Sequence, residues 1–236
     1  MGHRVLITGG NKGIGLFISK LFLEKGDTVV IVARDFTNFA LADDERVTAI
    51  AYDLSDVEGI PALAEKIGDI DILVNNAGMS HNLFPEEYDE KRRLYITNLN
   101  LAAPIALTTQ YLPHFKASGG GRVVNVASQA GVFGHFDVWY GALKAGLINA
   151  TKTFANLYGR YGLVINAISP GPVDGDIIRD SPFKKRFDRI IDRTILKRSA
   201  DPSEVAQVVC WLAKESPIYL NGENYLINNG VTSLEL

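Results

Sequence analysis

At 236 residues, 47% apolar and 22% charged, the chain has the length and composition of one large soluble α/β domain. A net charge of −3 without an uninterrupted basic stretch argues against nucleic acid as a partner. No apolar run approaches the ~18 residues that span a bilayer, and nothing in the first ten residues reads as a signal peptide. With its single cysteine, Cys210, excluding an internal disulfide, the expected setting is the cytoplasm.

The elements alternate along the chain. A first strand, Arg4 to Thr8, runs into a glycine-rich turn and a helix over 14–25. Strands follow at 28–32 and 47–51, with only about thirteen residues between them, too few for a full crossover helix. A helix over 58–67, a strand over 70–74 and a long helical stretch over 86–117 come next. A fifth strand at 122–126, a helix over 138–160 and a sixth strand at 163–167 follow. The segment 172–200 reads as a long charged lid loop, then come a helix over 202–214 and a seventh strand at 224–227. Nearly all the strand runs are apolar and several are β-branched, as in strands covered on both faces. The pattern predicts one domain over 1–236, a doubly wound parallel sheet of about seven strands, the Rossmann fold.

Two features carry chemistry. In Gly9-Gly10-Asn11-Lys12-Gly13-Ile14-Gly15 the glycines permit a tight turn and let backbone approach a pyrophosphate at the positive end of the following helix. Tyr140 and Lys144 lie one helical turn apart, so the ammonium is expected to favour phenolate and lower the tyrosine pKa. His81, His114 and His135 share no spacing suited to a metal, and none is expected. Phe136 and Trp139 flank the tyrosine and suit either a pocket wall or core packing. Cys210 lies in an apolar run and reads as buried packing.

The glycine spacing, Asn75-Asn76-Ala77-Gly78 after the fourth strand and Tyr140-x-x-x-Lys144 together resemble the short-chain dehydrogenase/reductase family, over nearly the whole chain. Further matches are Asp53-Leu54, Ser128, Pro170-Gly171 and Asn228-Asn229-Gly230. Within the family the likeness is greatest to 3-oxoacyl-carrier-protein reductases and the ketoreductases of specialised metabolism. The resemblance implies that Tyr140 exchanges the proton on the substrate oxygen. Lys144 would lower the tyrosine pKa and hold the nicotinamide ribose, and Ser128 would hydrogen-bond the carbonyl. Asn100 completes the implied tetrad, with Asn98 as the alternative in the same helix. Cofactor contacts are implied at Gly9, Asn11, Lys12, Gly13, Ile14, Gly15, Arg34, Asp53, Leu54, Asn76, Ala77, Gly78, Tyr140, Lys144, Pro170, Gly171 and Val173.

By the same alignment Ala33 holds the position where an acid selects NAD(H), while Arg34 and Lys12 supply cations suited to a 2′-phosphate. NADP(H) is therefore expected over NAD(H), with Asp35 as a complication if it faces the ribose. Gly175 stands where the family often has a threonine, and Asn228-Asn229-Gly230 lacks an acid often found there. The substrate is expected to be a small or carrier-bound carbonyl compound. Lys184, Lys185 and Arg186 offer either a docking patch for an acidic carrier or a solvated face. The small residues of the 138–160 helix suit the subunit contact the family commonly makes there, so a homotetramer or homodimer is expected. Other readings are alcohol oxidation, epimerisation or dehydration, and a non-catalytic dinucleotide sensor, which would be expected to lack the tyrosine or the lysine.

Overall fold

Seven strands form from the apolar runs: β1 (Arg4–Thr8), β2 (Thr28–Ala33), β3 (Val47–Ala51), β4 (Ile72–Asn75), β5 (Gly121–Val126), β6 (Leu163–Pro170) and β7 (Asn224–Ile227). They build a single sheet, ordered β3-β2-β1-β4-β5-β6-β7, in which every pair is parallel. The computed structural model describes residues 2–175 and 183–231. Parallel neighbours need crossovers. Among the described residues the helices are α1 (Gly13–Glu24), α2 (Ile60–Ile67), α3 (Glu90–Thr97), α4 (Ala103–Ala117), α5 (Ala130–Phe133), α6 (Val138–Tyr158), α7 (Lys184–Asp192) and α8 (Pro202–Lys214).

Alternation along the strands divides the core into two layers. Val5, Ile7, Val29, Ile31, Val124 and Val126 face Ile18 and Phe22 of α1 and Val205 and Val209 of α8. Leu6, Val30, Val32 and Val123 face the opposite layer, with Leu63 of α2 and Leu107 and Phe115 of α4. Cys210 is buried in the first layer, and burial pushes its thiol up to about 12, the behaviour of a packing residue. No described helix is long and apolar enough to cross a membrane.

The chain leaves β1 towards β2 and β3 on one side, then returns to place β4 on the other. Loops leaving β1 and β4 therefore diverge, and a crevice opens at their carboxyl ends. Across that region the second layer is tied by polar groups. Asn75 of β4 donates to Asn125 of β5 at 2.8 Å and to Thr108 of α4 at 3.3 Å, and Asn125 donates to Thr151 of α6 at 2.9 Å. These buried bonds fix α4 and α6 relative to the strand ends that carry the site.

Two expectations need correction. The stretch 86–117 is not one regular helix: a 3₁₀ turn at Pro85–Glu87 precedes α3, and a π-helical segment, Asn98–Ala102, joins α3 to α4. Asp89 starts α3 by accepting from the Arg92 amide at 2.7 Å. Pro104 has no N–H to offer the carbonyl four residues back, that of Asn100, which weakens the α-ladder at this junction. The lid is not a loop throughout, because α7 occupies part of it, while 176–182 lie outside the described residues. A short helix, α5, which no expectation covered, follows β5. The β2–β3 crossover carries turns only, as its length requires.

Candidate active site

The site begins with the turn after β1. Gly9 and Gly13 adopt φ values of +66° and +53°, and a Cβ on Gly15 would lie 2.0 Å from the Gly9 carbonyl oxygen. Glycine is required there by conformation and by close approach. The second strand-end motif holds this turn from the side. The Asn76 side-chain amide donates to the carbonyls of Thr8 and Gly9 at 2.9 and 3.1 Å, and the amides of Asn76 and Ala77 donate to the Thr8 hydroxyl, both at 3.0 Å.

Helix α1 starts without a side-chain cap from Lys12 and without an acid in its first turn. A Cβ on Gly13 would meet nothing within 4 Å. Unbonded amides, a positive helix end and open space fit a pyrophosphate, so a dinucleotide fits this turn. At the tip of β2, Arg34 donates to the Tyr95 hydroxyl of α3 at 2.7 Å. The Asp35 carboxylate is turned onto the amide and hydroxyl of Thr37 at 2.8 and 2.7 Å, and these bonds hold its pKa below the usual range. Its backbone carbonyl accepts from the Asn11 amide at 2.7 Å. Asp53 accepts from the Ser55 amide at 2.9 Å, and Leu54 is buried.

The chemical end lies beyond β4 and β5. Lys144 is 4% exposed, its Nζ donating to the Val126 carbonyl at 2.8 Å. A Cβ on Gly78 would lie 2.7 Å from Asn100 Oδ1 and 3.0 Å from Lys144 Nζ, so Gly78 lets the lysine and the asparagine approach one loop together. Asn100 is fully buried: its Nδ2 donates to the carbonyls of Met79 and Ile96, and its Oδ1 accepts from the Met79 amide at 3.2 Å. Asn98 instead donates to the Ser55 carbonyl, towards the β3–α2 connection. The Ser128 hydroxyl acts on the Tyr140 phenol, favouring its ionised form, and its oxygen accepts from the Ala130 amide at 3.2 Å. The fold thus brings Ser128, Tyr140, Lys144 and Asn100 together and leaves Asn98 apart.

One electrostatic expectation is overturned. Burial raises the Tyr140 pKa; the bond from Ser128 opposes this, and the charge of Asp137 adds to it. Lys144 does not reverse the shift. Its ammonium is turned to the Val126 carbonyl, 5.9 Å from the phenol ring centroid, and burial lowers its own pKa to about 8. The phenol is therefore a protonated acid at neutral pH.

The walls of this end are aromatic. Phe136 packs on Phe183 and Phe84, with ring centroids 5.1 and 5.8 Å away, and His135 stands between Phe136 and Tyr140 at 4.5 and 5.5 Å. Arg186 of α7 lies over the Phe136 ring at 4.4 Å, while Lys184 and Lys185 are exposed. Trp139 faces α3, under Arg93. Pro170 ends β6, and Gly171 donates to the Ile227 carbonyl at 2.9 Å. Val173 forms a parallel bridge with Ala200, pinning the base of the lid. Gly175 has open space around it. Asn229 accepts from the amides of Leu196 and Ile195 and so anchors the far end of the lid.

Known proteins resemble this chain over nearly its whole length. The family model described as Enoyl-(Acyl carrier protein) reductase matches residues 9–232. The chain belongs to the short-chain dehydrogenase/reductase family. The 3-oxoacyl-[acyl-carrier-protein] reductase of Vibrio harveyi is 32% identical over 239 residues, covering 98% of this chain and 97% of the relative. Among solved structures, 4-hydroxyisoleucine dehydrogenase complexed with NADH has a TM-score of 0.91 at 25% identity, covering 98% of this chain and 99% of that one. The L-sorbose reductase from Gluconobacter frateurii, complexed with NADPH and L-sorbose, has a TM-score of 0.88 at 28% identity, covering 97% and 96%. This short-chain dehydrogenase/reductase is an oxidoreductase, and the two solved structures just named hold NADH and NADPH.

Sequence reasoning missed several residues of this dehydrogenase/reductase site. Tyr95 meets Arg34 through a contact between α3 and the tip of β2 that no local pattern signals. Asp137, three residues before Tyr140, is fully buried and accepts from Ser80, Asn82, Tyr88 and the Tyr140 amide. A readable signal existed: an aspartate just ahead of a helix is a common N-cap.

Proposed function

We propose that this family member is an NADP(H)-dependent ketoreductase, interconverting a carbonyl and an alcohol. The observation that carries the reading is the meeting of Tyr140, Ser128, Asn100 and the buried Lys144 beside Gly78, at the end of a crevice whose other end suits a pyrophosphate. When bound, the nicotinamide supplies or accepts the hydride. The Tyr140 phenol, protonated at neutral pH, gives its proton to the carbonyl oxygen as negative charge grows there, and the Ser128 hydroxyl donates a hydrogen bond to the same oxygen. Lys144, nearly dry and with its pKa lowered by burial to about 8, would hold the ribose hydroxyls and pass a proton towards the phenol. Asn100 holds the loop after β4 through Met79 and keeps that wall in place.

Preference for NADP(H) rests on Arg34 and Lys12, both exposed at the mouth of the glycine turn, with Tyr95 steadying the guanidinium. Asp35 is occupied by Thr37, which favours the cationic reading. The substrate is proposed to be a small or carrier-bound carbonyl compound, in keeping with the acyl-carrier-protein reductase among the relatives. A homodimer or homotetramer belongs to the same proposal. Ile218 and Tyr219 are 75% and 98% exposed beside β7, apolar surface that a second subunit would cover.

The test measures NADPH and NADH consumption against β-keto thioesters, cyclic ketones and quinones, together with the affinity of each nucleotide. The reading expects turnover of at least one carbonyl class and tighter binding of NADPH. Equal or tighter binding of NADH would sink the cofactor assignment, and the absence of any turnover would sink the ketoreductase assignment.

A further inference from the structure

The buried carboxylate of Asp137 is the most heavily bonded side chain near the site, and the tetrad does not include it. It is fully buried, and it joins two segments far apart in sequence. From the segment after β4, Ser80 Oγ donates to Oδ2 at 2.7 Å and the Asn82 amide at 3.2 Å. From the 3₁₀ turn, the Tyr88 hydroxyl lies 2.9 Å from both carboxylate oxygens. From the first turn of α6, the Tyr140 amide donates to Oδ1 at 3.1 Å. The Asp137 amide itself donates to His135 Nδ1 at 3.2 Å. A buried carboxylate needs such donors to satisfy its oxygens.

Resting on the ketoreductase reading, we propose that Asp137 is a positioning residue: it locks the 80–88 segment, one wall of the substrate cleft, to the turn of α6 that carries Tyr140, and it places a fixed negative charge beside that acid. The backbone nitrogen of Tyr140 is bonded to the same carboxylate that holds the opposite wall, so the acid and the wall move as one body. The charge acts on the phenol as well, opposing its ionisation after the larger effect of burial. Around this carboxylate stand His81, whose ring packs on Tyr88, and His135, whose ring packs on Tyr140. Burial lowers the pKa of both histidines. Asp89 and Arg92 of the α3 start act on His81, Arg186 of α7 acts on His135, and Lys144 lies on the far side of the phenol. Both imidazoles face the Asp137 carboxylate at the start of α6.

The experiment compares the wild type with Asp137→Asn, Asp137→Glu and Tyr88→Phe, following NADPH consumption with an acetoacetyl thioester from pH 6 to about 11.5, a range that reaches past the raised Tyr140 limb. Asp137→Asn keeps the shape and removes the charge. Its alkaline limb of kcat/KM is expected to move down by roughly 0.5–1 pH unit, the smaller part of what a nearby charge does to a pKa. Tyr88→Phe keeps the charge and loosens the wall, so KM rises severalfold with the limb unmoved. Asp137→Glu restores the limb while KM stays raised. An Asp137→Asn enzyme with the limb and the KM of wild type overturns the proposal. If that variant does not fold, Tyr88→Phe and Ser80→Ala decide: a raised KM supports the lock, and wild-type KM in both overturns it. If the wild type binds NADPH but turns over no carbonyl, the functional reading fails separately. Difference absorbance of the Tyr140 phenol, taken against Tyr140→Phe, then reads the same shift in Asp137→Asn.

Discussion

The two ends of the crevice are built by different means. The nucleotide end consists of backbone: glycines with positive φ, amides at an uncapped helix start and a carbonyl approached to 2.0 Å by the Cβ that Gly15 lacks. Its side chains, Arg34 and Lys12, are exposed. The chemical end consists of buried and half-buried side chains drawn from three segments, with Lys144 at 4% exposure, Asn100 and Asp137 at none, and Ser128 and Tyr140 half-buried. Backbone recognition suits a ligand shared by a family, because any sequence with glycine in the right places supplies it. Buried side chains suit the reacting atoms, because burial is what moves the Tyr140 and Lys144 pKa values apart from their ordinary settings.

That contrast predicts different failures. Lys144→Met should lower kcat on the order of 10²-fold, as for loss of a positioned acid–base group. The same change should stabilise the fold. Burial sets the folded pKa at about 8, against 10.5 ordinarily, so between these values the unfolded chain binds more protons. The lysine therefore weakens the fold below pH 8, and the penalty fades as pH rises to 10.5. Lys144→Met is expected to gain roughly 2 kcal/mol at pH 7 after allowing for the lost Val126 bond. Thermal melts across pH 7–10.5 should show the gain shrinking. A lower Tm than wild type at pH 7 would contradict the burial argument.

At the nucleotide end, Gly15→Ala should act through affinity. Its Cβ meets the Gly9 carbonyl and, at 2.6 Å, the Asn76 side chain, so the turn must open. We expect NADPH affinity to fall roughly 10–100-fold, in line with overpacking costs of about 1–3 kcal/mol, with kcat at saturation little changed. Fluorescence titration measures this, and unchanged affinity would show that the turn does not hold the cofactor. Arg34→Ala should weaken NADPH alone, by about tenfold, the effect of about 1.4 kcal/mol. An equal loss for NADH would mean that Arg34 does not read the 2′-phosphate. The smallest effect is expected at Asn98→Ala, whose partner is the Ser55 carbonyl outside the site. Its kcat should stay within about twofold of wild type, whereas Asn100→Ala should lower it well beyond that. The reverse ranking would move the tetrad asparagine one helical step.

What was legible in the sequence follows the same division. Strand runs, the glycine turn and the Tyr140–Lys144 spacing are local patterns, and β1, β3 and β7 fall where those patterns end. The shape of 86–117 was less legible, because a helical period does not mark a π segment; Pro104 was the local clue. Helix α7 hides in a charged stretch whose composition resembles a lid loop. Asp137 could be read as an N-cap but not as a hub, since its partners Tyr88 and Ser80 lie 49 and 57 residues away. The direction of the Tyr140 shift was misread for a related reason. Spacing shows that a lysine is near, but not that its ammonium turns to the Val126 carbonyl while burial dominates.

The central claim is that Tyr140 is the acid of a nicotinamide-dependent carbonyl reduction. NADPH oxidation at saturating nucleotide, with wild type and Tyr140→Phe side by side on the best ketone of the panel, tests it most directly. The account predicts NADPH affinity within about twofold of wild type and kcat lower by roughly 10²–10⁴-fold, the contribution of a positioned general acid. A Tyr140→Phe enzyme that reduces the ketone at the wild-type rate would contradict it.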